Sequence, residues 1–146
     1  MSKPYLKLAI ALTASFVVMF AFSLIQSDQW SHAYPNLSNL YISVIGVSAM
    51  GVIMLVVMWG MYPSRRLNIG LLAGFTGLFV TGILFARTEA FVGNDAFLYS
   101  MIPHHSRAIL VCEEASITDP EIERLCDQII EAQRDEIAQM QRMLDE

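Results

Sequence analysis

LNIGLLAGFTGLFVTGILFA, residues 67–86, contains no ionisable side chain. At helical rise a segment of this length reaches about 30 Å, the thickness of a bilayer's hydrocarbon core. Inside hydrocarbon every backbone N–H and C=O must be satisfied within the segment, so the run reads as a membrane helix. Two runs of the same kind precede it, about Tyr5 to Ile25 and about Leu37 to Tyr62. The stretches between them have the composition of helix ends. Ser27, Asp28, Pro35 and Asn36 lie in the first, and Pro63, Ser64, Arg65 and Arg66 in the second. Across 146 residues the apolar share is 55%, above that of an ordinary globular chain.

The charge changes sign just past this run. Residues 1–86 carry Lys3, Lys7, Arg65 and Arg66 against Asp28, a net of +3. Residues 87–146 carry five arginines against thirteen carboxylates, a net of −8. The expected division is therefore a three-span module, 1–88, and an acidic, water-facing domain, 89–146. Acidic surface repels phosphate, which excludes nucleic acid as a partner and suits cations.

The first run begins like a signal peptide, with Lys3 and Lys7 and an Ala21-Phe22-Ser23 segment. Its length exceeds a signal core of about 7–15 residues, so it reads as an uncleaved anchor. Basic residues orient the spans. Lys3 and Lys7 share a side with Arg65 and Arg66, expected to be cytoplasmic. The loop from Gln26 to Asn36 has no Lys or Arg and is expected outside, as is everything after Arg87. Trp30, Tyr34 and Tyr41 fall where an outer aromatic belt would lie. The bilayer is thus the first expected partner, and a bacterial cytoplasmic membrane with the C-terminal domain in the periplasm the expected location.

Two patterns within the spans each have two readings. Ala73, Gly77 and Thr81, with Gly70 and Gly74, form a small-residue stripe that serves either packing within the chain or a homodimer face. Met50, Met54, Met58 and Met61 share a helical stripe. Methionine is ordinarily a flexible core filler; the sharper reading is a thioether path for a soft cation.

The acidic part predicts two helices, about Asp95 to Ser116 and about Pro120 to Leu144, with Asn94 or Asp95 capping the first. Thr118 with Glu121 matches a capping box, and Pro120 suits a first turn. The connection is short enough to force an antiparallel hairpin. The stripe Met101, His105, Ala108, Cys112 and Ala115 is expected to face Ile122, Cys126, Ile130, Ile137, Met140 and Leu144, with Gln133 as the polar member. In that register Cys112 faces Cys126, His105 faces Gln133, and Met101 faces Ile137 with Met140 one turn away. Pro103 removes a backbone hydrogen bond, so a kink or restart is expected at the histidines.

The chemistry concentrates at Met101-Ile102-Pro103-His104-His105. Thioether, imidazole and thiol donors suit a soft ion, above all cuprous copper. Met101, His104, His105, Cys112 and Met140 are the candidate metal ligands, with Gln133 and Glu136 behind them as acceptors for an imidazole N–H. An outside compartment would permit a Cys112–Cys126 disulfide, but helix axes about 8–10 Å apart make bridging demanding, so two reduced thiols are the favoured expectation. His32, in the outer loop, could supply a further ligand but reads first as a solvated loop residue. No Glu-x-x-His occurs, which argues against a di-iron site, and no Cys-x-x-Cys supports structural zinc. No nucleophile stands near a base, since His105 lies two turns from Cys112, so an enzyme is not expected.

Phe97 to His105, Ala108-Ile109, Asp119 to Ile122, Ile129 to Gln133 and Glu136 to Met140 resemble the domain of unknown function 305 family. The Met-Ile-Pro-His-His stretch followed by Gln133-x-x-Glu136-Ile137-x-x-Met140 carries the likeness. The membrane half resembles the family's anchored branch, whose second span ends in a Met-rich segment. The resemblance implies a ferritin-like helical hairpin and, for some members, periplasmic copper binding. It implies Met101, His104, His105 and Met140 as the ligand set, with Cys112 standing where members often have methionine. The expected fold is all-α: three transmembrane helices, then an antiparallel helical hairpin that is half of a bundle. A homodimer through the hairpin would complete four helices. The expected function is copper binding or tolerance at the outer face of the membrane; the alternative is a metal-free, membrane-anchored interaction module.

Overall fold

The computed structural model describes residues 3–145, and all its regular structure is helical. Helices α1 (Lys3–Leu24), α2 (Leu37–Val57) and α3 (Arg65–Thr88) are long and apolar enough to cross a membrane. Helices α4 (Asn94–Glu114) and α5 (Pro120–Leu144) follow. Short 3-10 turns form at Trp30–His32 and Trp59–Met61. The second apolar run therefore ends its α-helix at Val57 and only its last residues tighten into a 3-10 turn.

Two compact units form. One takes in α1 as far as Ala21 with Ser38–Ala90; the other takes in Phe22–Leu37 and the chain from Phe91 onward. The division at residue 88 expected from charge thus misses one contribution: the connection between α1 and α2 packs with the hairpin.

In the first unit Tyr5, Leu8 and Leu12 recur at helical spacing on α1 and bury with Leu55 and Tyr62. Met50, Met54 and Met58 pack on this cluster with Leu71, Leu72 and Phe75. Three of the four stripe methionines are therefore core filling, whereas Met61 is exposed. Glycine is required where α2 meets α3. A Cβ on Gly51 would stand 2.9 Å from the Phe75 ring, and one on Gly82 2.9 Å from Cγ1 of Ile45. Gly70, Gly74 and Gly77 have nothing within 4 Å of such a Cβ. Ala73 and Thr81 are exposed as well. The small-residue stripe is not used for packing inside this unit.

In the second unit Ile102, Ile109, Ile137 and Met140 form the core between α4 and α5, joined by Leu98, Met101, Ile130, Leu144 and Tyr34. The caps differ from those read in the sequence. Gly93 precedes α4 without a side-chain cap. Asp119, not Thr118, caps α5: its Oδ1 accepts from Glu121 N–H at 2.8 Å and Ile122 N–H at 3.3 Å. Helix α4 continues through Pro103 without a restart.

The cysteines require a correction. Cys112 and Cys126 face each other as the hairpin register predicts, but they are bridged, with Cα atoms 5.3 Å apart. Disulfide reach is set by the Cα–Cα distance, not by the separation of the helix axes. Cα atoms lie about 2.3 Å from the axis, so residues aimed at each other across axes about 10 Å apart are within disulfide reach.

The face of α4 also requires one. Its most buried residues are Ile102, Ser106 and Ile109, not Met101, His105 and Ala108. Helix α4 is covered on two sides, by α5 and by the Phe22–Leu37 segment, and the line between those contacts is the deepest.

Candidate metal centre

The Met101–His105 stretch lies mid-helix on α4, where successive side chains diverge by about 100°. His104 is consequently exposed while His105 turns toward α5, keeping 14% of its side chain accessible. Their ring centroids are 5.9 Å apart. Met140 is buried in the hairpin core, and Met101 packs on the same cluster. Met101 and Met140 thus share the α4–α5 cluster, His105 faces Glu136 of α5, and His104 is exposed.

Behind His105 stands Glu136. Its Oε2 is 2.8 Å from Nδ1 of His105, a close approach outside the geometry of an aligned hydrogen bond. The amide Nε2 of Gln133 donates to that same oxygen at 3.3 Å. The partner of His105 is thus Glu136, with Gln133 one step removed. Burial lowers the His105 pKa below the ordinary 6.5; Glu136 opposes this, and His104 adds to it. A neutral imidazole with one nitrogen against a carboxylate is in the state in which its other nitrogen can bind a metal.

Cys112 is not part of such a set in this state. Its sulfur is bonded to Cys126 and is not a thiolate. Among the described residues no group of three or more His, Cys, Asp or Glu side chains is arranged to hold a metal ion. A site here must therefore draw on the thioethers. Two methionines in one apolar cluster, with a histidine of lowered pKa on the same helix pair, suit a soft monovalent ion better than a hard one.

The opposite side of α4 carries contacts that the sequence reading missed. Ser106 is fully buried. Its Oγ accepts from the Asp28 N–H at 2.8 Å and lies 3.0 Å from Nδ1 of His32. His32 is buried, not solvated, and burial lowers its pKa while Asp28 opposes the shift. Arg107 bonds Gln26, and the Tyr34 and Tyr99 rings pack at 5.2 Å. The signal available in the sequence was Ile102, Ser106 and Ile109, spaced i, i+4, i+7, a second helical stripe with a hydroxyl at its centre. A serine beside a histidine resembles a nucleophile with its base, but this hydroxyl has no accessible surface. It is a clasp holding the α1–α2 connection to α4.

These features define a class: a chain with three membrane-length helices that carries a helical-hairpin domain. Residues 85–144 match the family profile described as "Domain of unknown function (DUF305)". The chain is also 42% identical over 62 residues to "Uncharacterized protein L153" of Acanthamoeba polyphaga mimivirus. That match covers 41% of this chain and 41% of the relative. No solved structure matches the chain.

Proposed function

We propose that the protein is a membrane-anchored binding protein for a soft metal ion, cuprous copper in the first place, held on the hairpin by Met101, His105 and Met140 with His104 at the rim. The observation that carries this reading is the meeting of Met101 and Met140 in the α4–α5 cluster, with His105 against Glu136 across the same two helices. Copper, when bound, would supply a soft cation for buffering or transfer. The protein's own part is to hold His105 neutral, orient it through Glu136, and keep water from the sulfur atoms. The role is binding rather than catalysis, and Ser106, the hydroxyl paired with His32, is closed to substrate.

The hairpin is assigned to the outer face of a cytoplasmic membrane. Two observations support that. The α1–α2 connection packs with the chain beyond α3, and three crossings bring those segments to the same side. A bridged cysteine pair suits an oxidising compartment.

The test is competition of the purified full-length chain against a chromophoric cuprous chelator. Wild type is expected to take up one equivalent, with affinity lost in His105→Ala and in Met101→Leu/Met140→Leu. Equal binding by all three would refute the metal reading. A second reading rests on the exposed Val111, Ile122 and Leu125 toward the hairpin's closed end. They suit a metal-free interaction surface, with a second copy completing a four-helix bundle. Metal-independent dimers that Leu125→Glu dissociates would favour it.

A further inference from the structure

One end of the first unit is built from cations. The Tyr5 hydroxyl accepts from the Ser64 N–H at 3.1 Å and donates to Oδ1 of Asn68 at 2.7 Å. Asn68 is buried, and its Nδ2 donates to the Tyr62 carbonyl at 3.4 Å. The Tyr5 and Tyr62 rings stack at 5.4 Å. This polar knot pins the first turn of α1 to the first turn of α3. Lys3 and Lys7 flank Tyr5, and Arg65 and Arg66 are the first two residues of α3, so all four cations come to the same end. Each is exposed.

Among the described residues of this unit nothing neutralises them. None of the four forms an ion pair among the described residues. Neither helix has an acid in its first turn. The one carboxylate of this unit among the described residues, Glu89, follows the far end of α3, roughly 34 Å away by helix rise. The helix dipoles add further positive potential at these N-termini, where arginine is electrostatically the wrong choice. Such a charge excess at the boundary of membrane-length helices matches one abundant partner, the phosphodiester groups of the leaflet around it.

We propose that Lys3, Lys7, Arg65 and Arg66 form a binding surface for anionic phospholipid headgroups. The inference rests on α1, α2 and α3 being membrane spans, not on the metal reading. The full-length chain is reconstituted into nanodiscs of phosphatidylcholine and phosphatidylglycerol in equal amounts. The lipids that stay bound after transfer to detergent are then counted by native mass spectrometry. Wild type is expected to retain phosphatidylglycerol on the order of fivefold over zwitterionic phosphatidylcholine, as the attraction of a basic residue for a net anionic headgroup would give. K3Q/K7Q/R65Q/R66Q is expected to lose the preference, and the charge-preserving K3R/K7R/R65K/R66K to keep it. An excess of inorganic phosphate is expected to leave the lipid in place. Equal retention of both lipids by wild type overturns the proposal whatever the variants do, as does an unchanged preference in the neutral variant. Displacement by phosphate would overturn the lipid as the source of the phosphate group. Failure of the chain to enter nanodiscs would overturn the span reading, which is a separate result.

Discussion

Opening the Cys112–Cys126 bridge should loosen the hairpin by an amount that follows from its sequence separation. The two positions are 14 residues apart and enclose the whole α4–α5 connection. Constraining an unfolded loop of this size contributes about 3 kcal/mol at 25 °C in the chain-entropy description. The core it supports is small: four buried residues, Ile102, Ile109, Ile137 and Met140, with a rim of half-buried ones. Removing about 3 kcal/mol should therefore appear as opening of the hairpin, not as a slight shift in a robust domain. The assay is hydrogen exchange on the full-length chain in nanodiscs, comparing oxidised wild type, reduced wild type and Cys112→Ala/Cys126→Ala. Amides of α5 near Ile130 and Ile137 are expected to exchange about 10²-fold faster without the bridge, while amides of α2 stay unchanged. Exchange within about twofold of the oxidised protein would refute the reasoning, because the hairpin would then be held by packing alone.

Three further outcomes follow from contacts in the two units. Gly51→Ala and Gly82→Ala should each cost about 1–3 kcal/mol, since the new methyl meets the Phe75 ring or Ile45; Gly74→Ala and Gly77→Ala should leave thermal stability in detergent unchanged. Ser106→Ala should leave the Asp28 N–H and His32 without their partner, cost about 1–3 kcal/mol, and speed proteolysis between Gln26 and Asn36 without altering α1–α3. Stability of the second unit should fall as pH drops below the ordinary histidine value of 6.5. Burial holds both His32 and His105 below that value, so in this window the unfolded state binds more protons, and stability rises with pH until both are neutral. Exchange rates of α4 amides measured from pH 7.5 downward, corrected for intrinsic rates, check the sign; His32→Gln should flatten part of the slope.

Much of the architecture was legible because the membrane-length helices announce themselves locally. A twenty-residue stretch such as 67–86 contains all the information needed to call for a spanning helix, since its hydrogen bonds close within the segment. The hairpin was legible for a related reason. A five-residue break with Pro120 leaves two helices no arrangement but antiparallel, and that register brought Cys112 opposite Cys126. The Met101–His105 stretch was likewise visible as unusual chemistry.

What the chain could not reveal locally depended on which element covers which face. His32 and Ser106 are 74 residues apart and meet only because the α1–α2 connection folds onto α4. That contact moved the deepest line of α4 to Ile102, Ser106 and Ile109, and left His104 outside. Glu136 rather than Gln133 reached His105; the two side chains are equally long, so the docking of α5 on α4 decides between them. The glycines divide in the same way. Composition cannot distinguish Gly51, which makes room for the Phe75 ring, from Gly77, which faces open space. Periodicity and hydropathy belong to the segment, so the sequence by itself determined the helices and their pairing. Burial, ligand partners and the state of the cysteines belong to pairs of distant residues, and only tertiary packing decided them.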